Sequence, residues 1–406
     1  MGGERLAHPL DTAWVSTGGT GAQNYDEFSS DAEITDIVAK NPTSLLSVEM
    51  PQCTPEAREA GRGFADSLPY AERQLQRLKN DGRLVPFAEV VCPYRIESDH
   101  SVTYGLFCMI DTAQISGSAD QPGRVIRNED VFPEKVAERR QLITTLHHVL
   151  SPVLLVQSGR GDGLHAHLAE VIAGLGEPEI VDVDQLDQRH SLWVLGPSDE
   201  RDALLELVGE GDLIVADGNH RTLAAQQAGL DRFLAVVTSP GSVTIKPYHR
   251  LVRDVGLPQH VMLAKLREAG CIVVENPGEP TVPDAPGAIH LYLGKGTTVE
   301  VVLPPALEGA TVDRLDHSLV ERVVFNEVLR MDAGDKRITY VGGDYPVEWL
   351  TGEVDAGRAA AALLIAPVNV DDFLQVNLDR QKMPRKSTWF TPKARCGLVV
   401  AELPAG

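Results

Sequence analysis

The sequence predicts an α/β protein, and three features carry that prediction. Apolar residues make up 43% of the 406 residues, enough to fill the cores of two or three units at ordinary domain sizes of roughly 100–200 residues. Short runs rich in Val, Ile, Phe and Tyr alternate with stretches whose apolar residues recur every three or four positions. Residues 213–237 read as one complete strand–turn–helix–strand unit, the building block of an α/β layer.

Taken in order, residues 1–30 are turn-rich, with Gly18, Gly19 and Gly21 close together. A short helix is expected after Ser29 and Ser30, because Asp31 and Glu33 would suit the positive end of its dipole. One or two helices are expected over 56–80, where Leu68, Ala71, Leu75 and Leu78 share a face and Asp81-Gly82 ends the pattern. Strands follow at 84–94 and 102–110. A charged stretch from Arg124 to Arg140 leads into a helix through Leu142, Leu146 and Leu150, closed by Pro152. Residues 153–156 read as a buried strand, 164–174 as a helix and 191–195 as a strand.

The central unit then runs from strand 213–216 through the turn Asp217-Gly218-Asn219-His220-Arg221. A helix over 222–228 follows, stopped by Gly229, and then a strand over 233–237. Beyond it come a helix at 258–268 and a strand at 271–275. Pro277, Pro280, Pro283 and Pro286 mark an extended connection. A hairpin at 289–303, helices at 315–330 and 370–379, and a tail from Met383 to Leu403 with a polar loop and a last strand complete the pattern. The expected division is 1–120, 121–255 and 256–406.

Composition removes several functions. The net charge of −21 opposes a nucleic-acid partner, which would be met by a basic face. The longest comparable apolar run, 359–366, is far short of the ~20 residues that span a bilayer, and no signal peptide is evident. Cys53, Cys92, Cys108, Cys271 and Cys396 are scattered, odd in number and lack C-x-x-C spacing. That usage fits reduced thiols in the cytoplasm. Histidine pairs at 147/148 and 165/167 have no further ligand spacing for a metal. Gly159, Gly161 and Gly163 lack the lysine of a phosphate-binding P-loop, and no Gly-x-Ser-x-Gly element supports a serine hydrolase. No feature sets an oligomeric state.

Three constellations can carry chemistry. Asp217 to Arg221 stands where a buried strand meets a helix N-terminus, a place that favours an anion. Gly218 lets backbone approach closely, Arg221 can clamp a phosphate, and Asp217 can hold Mg²⁺. The same residues also suit a tight turn with a solvated Arg. Lys386-Ser387-Thr388, with Arg385 and Lys393 nearby, can bind an anion through side chains and successive N–H groups, or form an ordinary basic loop. Asn128-Glu129-Asp130 offers a carboxylate that can take a proton from a hydroxyl, or is a charged loop.

In this order, the three constellations resemble a widespread bacterial and archaeal family long without an assigned function, related to free-serine kinases of the ParB/sulfiredoxin-like superfamily. Ala216 to Arg221 resembles its Asp-Gly-His-His-Arg signature. Asn128-Glu129 resembles its His-Glu motif, and Arg139 or Arg140 its following arginine. Tyr25-Asp26 with Asn41-Pro42-Thr43-Ser44, His190-Ser191-Leu192-Trp193, and Met383 to Phe390 resemble further elements, and Pro392-Lys393 and Gly397-Leu398-Val399 the same ending.

The resemblance implies a ParB/sulfiredoxin-like core with N-terminal and C-terminal elaborations. It implies a kinase that uses ADP or ATP with Mg²⁺ to phosphorylate a free hydroxy amino acid, L-serine first. Glu129 is implied as general base and Asp217 as the acid near the transferred phosphate. Gly218, Asn219, His220, Arg221, Lys386, Ser387 and Thr388 are implied as nucleotide- or phosphate-binding. Asn128, His190 and Trp389 are implied as substrate-binding.

Asn128 and Asn219 stand where the family commonly has histidine, and Asn24 where it has proline. Asparagine does not titrate near neutrality as histidine does, so these changes bear on the choice of acceptor. Two rival readings follow. One is a nucleotide- or amino-acid-binding sensor without catalysis. The other is a ParB-like nucleotide-dependent DNA-binding module, which would need a basic helix-turn-helix region that the sequence lacks. Sulfiredoxin chemistry needs a cysteine in the turn, where Asn219 stands.

Overall fold

The computed structural model describes residues 5–28, 30–116, 122–275, 278–306, 309–332 and 334–404. Ser29, Pro277 and the expected boundary at 120/121 lie outside the described residues. The fold is mixed α/β. By contact the chain groups into two units, neither of which is a single run of sequence: 1–127 with 131–243 and 392–406, and 128–130 with 244–391.

The first unit is built on a mixed sheet. Its strand order is Val125–Arg127, Leu213–Asp217, Val153–Gln157, Arg232–Thr238, Val102–Asp111, Cys92–Glu97, Arg189–Leu192 and Ile180–Val183, with Ala7–His8 paired to Val102–Asp111. Leu213–Asp217 runs parallel to Val125–Arg127 and antiparallel to Val153–Gln157. These inner strands read as near-continuous apolar runs because both faces are covered. Leu155, Val215, Ala235 and Val237 bury against Leu164, Leu168, Leu204 and Leu205 of the helices Gly161–Gly174 and Asp199–Val208. Each such side chain contributes about 1.5–3 kcal/mol by leaving water. A second sheet orders Leu84–Val90, Leu10–Ser16, Val399–Glu402 and His148–Val149.

Several elements depart from the linear expectation. The turn-rich N-terminus holds the strand Leu10–Ser16, whose partner Val399–Glu402 is almost the whole chain away. The helix expected through Leu150 is Pro133–Leu146; His147 turns left-handed at φ 52 and ends it, leaving Leu150 buried outside. The strand expected at 191–195 is Arg189–Leu192. The helix after the central turn begins at Asn219 rather than Thr222, which puts Asn219, His220 and Arg221 in its first turn. The helix Asp31–Lys40 does start as expected, with the Ser30 hydroxyl accepting from Glu33 N–H.

The second unit centres on an antiparallel sheet in the order Ile272–Glu275, Thr298–Val302, Ala288–Tyr292, Ala361–Ile365, Tyr248–Val252 and Ile338–Gly342. Ala361–Ile365 is buried throughout, because it is covered on both faces. Leu363 and Ile365 pack with Met262, Leu266, Val323 and Val324, and Ala362 and Leu364 with Leu350 and Val354. The helix expected at 315–330 is a short α-turn, Asp316–Leu319, continued by a π-helix, Val320–Leu329. Thr244–Lys246 pairs with Trp389–Thr391. Among the described residues, no helix is long and apolar enough to cross a membrane, and all five cysteines are buried and free.

Candidate functional site

In the first unit the site begins at a strand irregularity. Val215 faces Leu155 and Asp217 faces Leu154, so the register shifts just before the acid. A bulge of this kind re-aims a side chain away from the strand's simple alternation. Gly218 follows at φ +102, a conformation that side chains resist, and an added Cβ would lie 3.0 Å from Arg221 Nε. Glycine therefore lets the helix Asn219–Gln227 start immediately and brings Arg221 back over Asp217.

The Arg221 guanidinium donates to Asp217 Oδ2 and, at 2.5 Å, to the Pro152 carbonyl. It is 6% exposed. Burial works against this cation, but Asp217 and Asp26 outweigh it and hold its pKa above the ordinary value. The sequence expectation was a clamp on phosphate. In the structure the arginine is paired with Asp217. Lys393 Nζ lies 3.4 Å from Asp217 Oδ1 and 3.9 Å from Glu27 Oε1, and Asn24 Nδ2 lies 3.5 Å from Asp217 Oδ2.

Glu27 was not anticipated, although Asn24-x-x-Glu27 has the spacing of a helix-start capping box. Its Oε1 accepts the Asn24 N–H at 3.0 Å. Burial pushes its pKa up from 4.5 to about 7; Lys393 opposes the shift, and Asp217 and Asp26 reinforce it. The folded value stands above the unfolded one, so folding takes up a proton. The stabilisation is complete below pH 4.5 and is lost as the pH rises through about 7. Glu27→Gln is expected to flatten this dependence. In paired urea titrations the variant should gain on the wild type across that window, by roughly 3 kcal/mol. Parallel pH curves for the two proteins would remove Glu27 as the titrating group.

His220 is also partly committed. Its Nε2 accepts the Phe132 N–H at 3.1 Å, and its ring stacks on Phe132. Mg²⁺ typically takes one or two carboxylates with phosphate oxygens and water. The described residues hold no group of three or more His, Cys, Asp or Glu able to bind a metal. Asp217 fits as a single protein ligand. Arg221 takes Oδ2, while Lys393 at 3.4 Å from Oδ1 lies beyond the ~2.7–2.9 Å of a charge-assisted hydrogen bond.

The second unit brings together two of the predicted constellations. Glu129 pairs with Met383 in a parallel bridge, and Met383 N–H donates to the Asn128 carbonyl at 2.7 Å. Lys386 N–H then donates to Glu129 Oε2 at 2.7 Å. Lys386 takes φ +55, a left-handed conformation disfavoured for a side-chain residue. The Ser387 hydroxyl is buried and has no hydrogen-bond partner among the described residues. Asp130 is exposed.

Under this loop lies Arg250, fully buried, donating to the Tyr248 and His249 carbonyls at 3.2 Å and to the Arg385 carbonyl at 3.3 Å. Its guanidinium sits 4.4 Å from the centre of the Tyr340 ring. Burial pushes the pKa of Glu321 up, against Arg250 and Arg385; it stands on the π-helix, a form frequent at functional sites. Sequence reasoning missed both residues. The signal for Arg250 was a charge inside the apolar run Tyr248–Val252.

Two expected substrate contacts are used internally. His190 is buried, with Nδ1 bonded to the Tyr94 hydroxyl at 2.5 Å and Nε2 to Asp184 Oδ2 at 3.1 Å. Burial lowers its pKa against the pull of Asp184. Trp389 packs edge-on to Tyr248 and over Gly342, where an added Cβ would come within 2.1 Å of the ring. Of the two candidate arginines, Arg139 is the buried one. It donates to the Glu49 carbonyl at 3.0 Å and lies over Tyr25.

A family model described as a protein of unknown function (DUF1015) matches residues 20–318, most of the chain. The protein belongs to this family. The matched residues take in Glu129 and the turn at Asp217 and stop before Lys386. No curated protein matches the sequence. Among solved structures, a conserved hypothetical protein from Pyrococcus furiosus is similar at 13% identity and TM-score 0.39, covering 70% of this chain and 90% of its own. A free serine kinase in complex with AMP is similar at 13% identity and TM-score 0.40, with coverage of 70% and 87%. SbnI with a C-terminal truncation from Staphylococcus aureus is similar at 12% identity and TM-score 0.40, with coverage of 72% and 85%.

Proposed function

We propose that this DUF1015 family member is a small-molecule kinase that moves a phosphoryl group from ADP or ATP to the hydroxyl of a free amino acid, L-serine first, giving O-phosphoserine. The observation that carries this reading is the hydrogen bond between Lys386 N–H and Glu129 Oε2. It joins a carboxylate and a Lys-Ser-Thr loop 257 residues apart in sequence, to both of which the family resemblance assigns roles in phosphoryl transfer. The reading includes a ParB/sulfiredoxin-like core around the strand and turn that carry Asp217.

In this mechanism the serine Oγ attacks the terminal phosphorus of the nucleotide and passes its proton to the Glu129 carboxylate. The new O–P bond forms as the bridging O–P bond breaks, and ADP leaves from ATP, or AMP from ADP. Little covalent work falls to the protein, so position and charge dominate. The Lys386 N–H holds one carboxylate oxygen and so limits rotation of the base. Lys386, Ser387 and Thr388 bind phosphate oxygens. In the first unit, Arg221 donates to Asp217, which would be a protein ligand of Mg²⁺; bound there, the ion would supply positive charge. Asn128 and Asn219 contribute hydrogen bonds where a histidine would contribute a titrating group, which makes them candidates for acceptor selectivity.

The test is incubation with Mg²⁺, ATP or ADP, and a panel of free hydroxy amino acids, with mass spectrometry of the products. O-phosphoserine that disappears on chelating Mg²⁺ with EDTA is the expected result. Nucleotide binding without product from any pair would overturn the kinase reading in favour of a sensor.

A further inference from the structure

The second unit contains a cavity that none of this chemistry uses. It has a volume of about 140 Å³ and is lined by Thr311, Arg314, Asp316, His317, Asn369 and Asp372 among others. An apolar engineered cavity of about 150 Å³ holds a benzene molecule, so the space suits a ligand of roughly six or seven heavy atoms. Its lining mixes these polar groups with Pro286, Leu315, Ala366, Pro367 and Val368, so a ligand there meets both polar and apolar surface.

Two buried acceptors in the lining are under-supplied with donors. His317 is 1% exposed. Its Nε2 meets the Tyr248 carbonyl at 3.1 Å and must carry the hydrogen, since a carbonyl only accepts. Nδ1 therefore presents a lone pair, and it is buried without a hydrogen-bond partner among the described residues. Burial lowers the His317 pKa to about 3, with Arg250 adding to the effect, so the ring stays neutral and Nδ1 stays an acceptor. Asp316 is 5% exposed. Both of its oxygens share a single donor, the Gly287 N–H at 2.9 and 3.1 Å, and no cation among the described residues pairs with it. A buried carboxylate without a counter-charge is costly. Burial, opposed by the Gly287 N–H, accordingly raises its pKa to about 6. Arg314 supplies the complementary charge. It is exposed, and among the described residues its side chain makes a loose 3.4 Å hydrogen bond to Thr311 Oγ1.

We propose that this cavity binds a small free amino acid. Its ammonium group is held by Asp316 and His317 Nδ1, and its carboxylate is met by Arg314. An ammonium carries three donors and no acceptor, which answers both acceptors at once. The size limit selects side chains no larger than that of serine. The site is independent of phosphoryl transfer. It is also one hydrogen bond from Tyr248, whose ring lies 5.8 Å from Lys386 Nζ.

Glycine has no hydroxyl and cannot be phosphorylated, so its titration reads binding alone, and the Arg314 and Asp316 variants assign that binding to this cavity. Isothermal titration calorimetry of the full chain with glycine, methylammonium and acetate, without nucleotide, is the experiment. Saturable glycine binding is expected, with methylammonium at least about tenfold weaker and acetate silent. Arg314→Ala, on an exposed side chain, should weaken glycine at least about tenfold. Asp316→Asn, which keeps an acceptor for Gly287 N–H, should abolish binding. Glu129→Gln should leave it unchanged, which separates this site from the proposed kinase centre. No saturable glycine binding, a cavity filled by structural water only, would overturn the proposal. So would equal affinity in the wild type and the folded Arg314→Ala protein.

Discussion

Glutamine at position 129 is expected to cut turnover by about 10²–10⁴-fold, the usual contribution of a positioned general base, while nucleotide affinity stays within about twofold. The substitution is close to isosteric. Its amide oxygen can still accept the Lys386 N–H that now reaches Glu129 Oε2 at 2.7 Å, so the loop keeps its anchor and the fold keeps its bridge to Met383. What is lost is the ability to take a proton from the attacking hydroxyl. Initial rates of phosphorylated product, set beside fluorescence titration of nucleotide, read the two effects separately. Undiminished turnover would remove Glu129 from the mechanism. A collapse of nucleotide affinity together with rate would recast it as a structural anchor of the Lys-Ser-Thr loop.

Methionine at position 221 is expected to destabilise the first unit by about 3–5 kcal/mol, the usual effect of breaking a buried ion pair from one side. Arg221 is 6% exposed, and its loss would remove the side-chain donor of the Pro152 carbonyl and leave Asp217 Oδ2 the weak 3.5 Å approach of Asn24 Nδ2. Lys393, at 3.4 Å, would remain beside Asp217 Oδ1. Lysine at 221 should rescue little, because an ammonium cannot serve two acceptors with the planar fork of arginine. Methionine at 221 combined with Asp217→Asn should recover part of the loss, since the stranded charge is then removed as well. Urea denaturation of these three variants and of Asp217→Asn alone measures this. Additive losses in the double variant would mean that the pair is not coupled, and Arg221 would then hold the fold through Pro152 and Asn24.

Much of this centre was legible in linear sequence because its signals are local. A buried strand running into Asp-Gly and then a helix can be read from five residues, and Gly218 at φ +102 is what that pattern requires. The apolar runs at 213–216 and 233–237 likewise identified central strands, since burial on both faces demands apolar side chains whatever the partner strand; the run at 359–366 was not read as a strand, although Ala361–Ile365 is one. Other features gave no local signal. Leu10–Ser16 is a strand because Val399–Glu402 lies beside it. The helix after Pro133 stops at His147, where the backbone turns left-handed, and not at the proline that follows. The contiguous segments expected from sequence gave no hint that residues 128–130 group with 244–391, or that 392–406 group with the N-terminal strands.

By itself, then, the sequence determined the α/β class and the turn at Asp217, and it offered Glu129, Arg221 and Lys386 as candidates. Tertiary structure alone decided what each one meets. It turned Arg221 inward onto Asp217, set Lys393 beside both the Asp217 and the Glu27 carboxylates, seated the Lys386 N–H on Glu129, and closed both nitrogens of His190 against Tyr94 and Asp184. The reason is physical. Backbone conformation and burial are set by neighbours along the chain and by side-chain polarity, which a sequence displays. The partner of a buried charge is set by which distant strands pair, and that choice belongs to the whole fold.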